Sequence, residues 1–355
     1  MPKTIKLLIS LIVAAILIFL LARSFNFSDF ITLFYKVNWL YVFLAFLFYL
    51  LVNFARSWRF RLLLGNSAMF RDVASISFIH NFLVSLLPFR AGELSYVYLL
   101  KKYRGISIST GLGTLFLARF FDILIVANLV ILAVFFVSQS RLPKEIAVMT
   151  LALAILALSL SLILIFFTGF LMKAFSFLFR TRLFFSSAQG SSPHQRDRGW
   201  DVIEESRIVS QGEGHEASQP FWWGDSLGNI SSVFLSVREK AYFLKLFFLS
   251  FLIWLLNFGV GVFLFRSLSF GFNFLETVFI FSLPMIVSEF SPIQSFANLG
   301  LYEWSLVGGL VIFGISRDMA AQSSILIHGI ELIFSLLLGL AGFLVLFIAK
   351  HDKHN

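Results

Sequence analysis

The chain has no cysteine in its 355 residues. That removes disulfides and thiolate metal or redox chemistry, and it leaves the redox compartment unreadable. Charge is also scarce: Asp, Glu, Lys and Arg make up 13% of the residues, about half the ~25% usual in a soluble domain. No glycine loop of the P-loop type is present, so nothing points to ATP hydrolysis. His194 and His215 stand alone, without the spacing of a metal site, and no cofactor is expected. Proline is rare, seven in all, so each proline inside an apolar run stands out.

Long apolar runs take up the space that charge leaves. The chain is 59% hydrophobic, well above the soluble range of about 45–50%. A membrane-crossing helix needs about 20 predominantly apolar residues. The sequence predicts an all-α polytopic membrane protein with about six full spans: Ile5–Ala22, Asn38–Phe54, one within Ser107–Ser138, Ile146–Phe167, Ala241–Phe265 and Ala321–Ala349. The first resembles a signal peptide, with Lys3 and Lys6 ahead of it. Its apolar core exceeds the usual h-region length, and Leu20-Leu21-Ala22-Arg23 is a poor cleavage site, so a retained helix is expected. Asn26–Lys36 mixes polar and apolar residues and reads as an interfacial segment. The 47 Phe residues are assigned to lipid-facing surfaces and helix contacts.

The net charge of +9 does not point to nucleic acid. Basic residues cluster beside the spans, the positive-inside pattern, which also suits anionic lipid head groups. On this count both termini face the cytoplasm and the chain sits in the cytoplasmic membrane. Ser186–Ser232 is rich in Ser, Gly, Gln and charge and reads as a flexible polar linker. It separates a membrane half at 1–185 from another at 233–355.

Each half contains a break. In Asn81–Gly105 an apolar run stops at Pro88, and Arg90, Gly92 and Glu93 follow before Lys101, Lys102 and Arg104. The segment 73–100 is expected to form a re-entrant helical hairpin that enters and leaves on the cytoplasmic side. In the second half, 274–315, Pro284 cuts the run Phe274–Val287, and Glu289, Pro292, Gly300 and Glu303 follow. This break is expected to enter from the opposite face. Paired interrupted segments in two halves are a sequence pointer to a transport site, and broken backbone at membrane depth survives only where protein buries it or where it lines a wet cavity.

The remaining candidates carry two readings each. Arg56, Trp58 and Arg59 lie with Arg61 at the end of the second span; they read as a positive-inside stop signal or as a surface clamp for lipid phosphate. Arg119 and Asp122 share a helical face and read as a structural ion pair or as part of a substrate path. Glu93 and Glu303 read as local caps or pairs, or as counter-charges, head-group contacts or proton-coupling sites.

Four places resemble the lysylphosphatidylglycerol synthetase transmembrane-region family, also called the UPF0104 flippase-like family. They are Arg56-Ser57-Trp58-Arg59 with Leu62–Leu64; Asn81 through Pro88 to Gly92-Glu93, with Gly105-Ile106-Ser107; Arg119 with Asp122; and Pro292 with Gly300 and Glu303. Two departures stand out: Ala118 where an acidic residue is expected, and Asn298-Leu299 within the glycine run. The resemblance implies movement of phospholipids or lipid-linked amphiphiles across the membrane. The soluble aminoacyl-transferase domain fused to some relatives is expected to be absent, leaving a possible separate transferase as partner. A flippase-like translocase is therefore the leading expectation. A membrane-embedded transferase on a lipid-linked substrate ranks lower, since Asp29 is the only acid in the first outer loop. An accessory subunit of a lipid-processing complex is the third.

Overall fold

Hydropathy and capping chemistry dictate most of the elements. The computed structural model describes residues 26–87, 91–141, 240–290 and 295–351. Asn26 accepts from the Ser28 amide and starts α1 (Phe27–Lys36), whose single buried residue is Leu33. Asn38 likewise accepts from Leu40 and starts α2 (Trp39–Leu64). A short arm, α3 (Phe70–Leu86), leads to α4 (Glu93–Arg104), and the long α5 (Ile108–Arg141) follows. The second half supplies α6 (Lys240–Ser267), α7 (Phe274–Phe290), α8 (Leu301–Ile312) and α9 (Arg317–His351). α7 opens on a reciprocal cap, with Asn273 and Glu276 exchanging amide-to-side-chain bonds of 2.9 Å each. No strand occurs among the described residues. The chain is an all-helical, polytopic membrane protein.

Among the described residues, four helices are long and apolar enough to cross a membrane: those at Trp39–Leu64, Ile108–Val137, Ala241–Ser267 and Arg317–Ile348. They match four of the six expected spans; Ile5–Ala22 and Ile146–Phe167 lie outside the described residues, as does the 186–232 linker. Bulky apolar residues such as Ile123, Phe248 and Phe347 stay exposed, as lipid contact requires. α3 and α7 have 17 residues each and α4 and α8 have 12, all short of the roughly 20 a full crossing needs.

The arms form two antiparallel hairpins. In the first, Gly92 lies against Leu83 and Val84, His80 against Tyr96, and Arg104 pairs with Asp72. In the second, Gly309 lies against Ile280 and Leu283, and Phe313 against Phe279. α2 and α6 run antiparallel along their whole length, from the Asn38 amide bonded to the Ser267 carbonyl at one end to the Tyr242 hydroxyl on the Leu62 carbonyl at the other. α3 packs antiparallel on α9, where Gly339 admits Phe82, and Gly342 admits Ser75, Phe78 and Ile79.

Several boundaries differ from the sequence reading. The second span does not stop at Phe54; α2 continues through the arginine cluster to Leu64, because arginines are good helix formers and one of them is buried. Pro284 does not cut its run but sits inside α7. The break comes later, between Phe290 and Leu301.

Candidate functional site

At the first break, Pro88 and Arg90 lie outside the described residues. Gly92 is where the arms come closest: a Cβ there would stand 2.4 Å from the Leu83 carbonyl oxygen, so no larger side chain fits. The freed backbone is not left bare. Ser95 Oγ donates to the Gly92 carbonyl at 2.5 Å, and His80 Nδ1 lies 3.2 Å from the same oxygen. Glu93 opens α4 and pairs with Arg119 of α5. That pair keeps partial exposure, 21% for the Glu93 side chain and 38% for Arg119.

Of the two readings of Arg119 and Asp122, the ion pair along one helix does not form; each has a partner on another helix. Asp122 takes Arg59 of α2 in a two-pronged bond, 2.5 and 3.0 Å, and also accepts from the Trp254 indole at 2.9 Å. Arg59 adds a bond to Ser250 Oγ at 3.0 Å. The guanidinium fork matches a carboxylate better than a one-turn contact can. Arg59 is therefore no surface contact for head groups: it is 2% exposed and joins α2, α5 and α6. Trp58 does lie outward, 49% exposed, against Phe70 and under Arg61. Arg56 is half-buried, within electrostatic reach of Asp122, Arg119 and Tyr49. Among the described residues it has neither an ion-pair partner nor a hydrogen-bond acceptor.

At the second break, Glu289 falls in the last turn of α7, and Pro292 lies outside the described residues. A 3-10 turn, Phe296–Asn298, leads into α8 and packs against α3. The turn uses left-handed backbone at Ala297 (φ 49°), Asn298 (φ 54°) and Gly300 (φ 85°). Ala297 and Asn298 thus adopt the backbone that a glycine run would take more easily. Glu303 is 3% exposed and acts twice: Oε2 accepts the Gly300 amide at 2.6 Å, and Oε1 lies 2.6 Å from His328 Nδ1 on α9. The local-cap reading of Glu303 holds, with a long-range partner added. One turn along α9, Glu331 accepts from Tyr302 at 2.6 Å, while the Tyr302 ring stacks on His328 at 4.2 Å.

Between the clusters α2 presents Tyr49, Asn53 and Arg56, one helical turn apart in succession. Asn81 at the first break donates to Asn53 Oδ1 at 2.5 Å, and Asn53 donates to the Tyr49 carbonyl at 2.8 Å. Tyr49 lies within electrostatic reach of both Arg56 and Glu331. This polar face links the two breaks. Sequence reading singled out Asn81 and missed Tyr49, Asn53, Ser250, Trp254 and Tyr302. Asn53 alone carried a signal, a carboxamide inside an otherwise apolar run.

Comparison with known proteins agrees with this architecture. A UPF0104 membrane protein of Methanocaldococcus jannaschii is 40% identical over 65 residues, 18% of this chain and 28% of that protein. The match thus spans little more than a quarter of the relative's length. No solved structure matches the chain significantly. Residues 7–339 match the family described as the lysylphosphatidylglycerol synthase TM region, and the chain belongs to that family.

Proposed function

We propose that the protein moves a phospholipid or lipid-linked amphiphile across the cytoplasmic membrane, its head group passing along the polar face between the two hairpins. Arg56 carries the reading. The buried acid beside it, Asp122, is already committed to Arg59, and Glu93 to Arg119. Of these five charges, three are arginines and two are carboxylates. The excess positive charge suits a lipid phosphate, and Arg56 has donors to offer it. Membrane lipids with an anionic head group are the partners this charge balance favours. The family's name and the UPF0104 relative support a membrane role without specifying the cargo.

The test is reconstitution into vesicles containing a fluorescent phospholipid, read by accessibility of the probe to an external quencher. The Arg56→Gln variant is expected to lose about 10–100-fold in translocation rate, the value of one charge-assisted contact of ~1.5–3 kcal/mol. Its thermal stability should stay near wild type, since among the described residues Arg56 has no side-chain partner to abandon. Formation of a modified lipid without translocation would instead mark a transferase, and neither activity would leave an accessory subunit.

A further inference from the structure

The second half repeats the first with every direction reversed. Long helix, two short arms and long helix occur as α2–α3–α4–α5 and again as α6–α7–α8–α9, while α2 and α6 run antiparallel. Charged positions coincide under this relation. Glu93 and Glu303 each stand in the first turn of the second arm. Arg119 and His328 are each the twelfth residue of the following long helix, and Asp122 and Glu331 each the fifteenth. The pairing repeats too: Glu93 meets Arg119, and Glu303 meets His328.

Of the two differences between the sets, Asp122 against Glu331 keeps a carboxylate, and Arg119 against His328 changes the charge chemistry. An arginine keeps its charge at every accessible pH, whereas histidine as a residue type changes charge near neutrality. The first set is further locked by Arg59 on Asp122. In the second, among the described residues, Glu331 receives only the Tyr302 hydroxyl, and no Arg or Lys forms an ion pair with Glu303 or Glu331. Two carboxylates and a histidine in an apolar setting reach neutrality by binding protons. Their donors do not converge into a metal cage among the described residues. The surrounding elements add little charge. α2 brings Tyr49 and, beyond it, Arg56; α3 carries His80, which turns to the Gly92 carbonyl; α7 carries Glu276 at its far end, bonded to Asn273, and Glu289 in its last turn; α1 carries Asp29 and Lys36.

We propose that Glu303, His328 and Glu331 form a proton-binding site that couples movement of the lipid to a transmembrane proton gradient. The coupling runs through Glu303, which caps the second break by accepting the Gly300 amide with the same carboxylate that meets His328. A proton taken up by this carboxylate weakens its hold on the Gly300 amide and frees the left-handed turn at Ala297 and Asn298. The proton leaves unchanged to the other side when the turn closes again, so one proton enters and one exits per cycle.

This inference rests on the lipid-translocation reading, and the experiment separates the two. Vesicles containing the reconstituted protein and a fluorescent phospholipid are given a pH gradient of one unit. Wild-type protein should bias the lipid between leaflets by up to about tenfold, the ratio one proton per lipid sustains per pH unit. His328→Arg, which copies the first half, should abolish that bias while the protein still melts cooperatively. Wild-type translocation indifferent to the gradient overturns proton coupling and leaves the lipid reading standing. Absence of any translocation overturns the lipid reading, and infrared spectroscopy then decides on the proton site. A carboxyl band that changes with pH and is missing from Glu303→Gln sustains it; the same spectra in both proteins refute it.

Discussion

At the scale of single residues, the arginines of α2 show how burial decides meaning. Arg56 and Arg59 are one helical turn apart and chemically identical, yet Arg59 is locked by Asp122 and Ser250, with the Trp254 indole holding Asp122 in turn, while Arg56 is left to face the polar interior. Removing Arg59 strands a buried carboxylate. Arg59→Gln is expected to destabilise the protein by about 3–5 kcal/mol, and replacing both partners with apolar residues should restore much of that loss. Denaturant unfolding of the single and double variants in detergent measures it. Asn81→Ala should cost less, about 1–3 kcal/mol, since it leaves Asn53 Oδ1 without its donor. Neither Asn53 nor Trp254 could be paired from sequence, because their partners are brought close only by packing.

At the scale of elements, the breaks depend on close backbone approach. Gly92→Ala would set a methyl 2.4 Å from the Leu83 oxygen, so the first hairpin cannot close as it stands. Loss of cooperative thermal melting is the expected outcome. The second break is built differently, with Ala297 and Asn298 in left-handed backbone. Ala297→Val puts a β-branched residue at a positive φ and is expected to cost about 2 kcal/mol or more, whereas Ala297→Gly should be neutral or mildly stabilising. Melting temperature in detergent separates the two. Sequence reading found both breaks because Pro, Gly and Glu interrupt apolar runs there. Pro284, read as a cut in its run, instead sits inside α7, since a proline inside a membrane helix is tolerated when neighbouring groups meet the freed carbonyl.

At the scale of the whole molecule, the two hairpins approach α9 from opposite ends. Phe82 of the first lies over Gly339 and Glu303 of the second meets His328, about 16 Å apart along the axis at 1.5 Å per residue. Their bases should therefore open to opposite sides of the membrane. The cysteine-free chain is a ready background for the test. Ser316→Cys should react with an impermeant maleimide in intact cells, and Lys102→Cys only after permeabilisation; labelling of both from one side would defeat the opposed arrangement.

Local chemistry alone carried the sequence far. Hydropathy runs marked the helices, and the interruptions around Gly92 and Gly300 marked the breaks, because each of these depends on neighbours along the chain. The partners of the charges did not follow from the same reasoning. Arg59 and Asp122 are 63 residues apart and His328 and Glu303 are 25 apart, and what joins them is helix packing in low-dielectric surroundings, where an unpaired charge is costly and takes whichever partner the fold brings within reach. That selection left Arg56 open, gave Glu303 two partners at once, and set an arginine in one half against a histidine in the other.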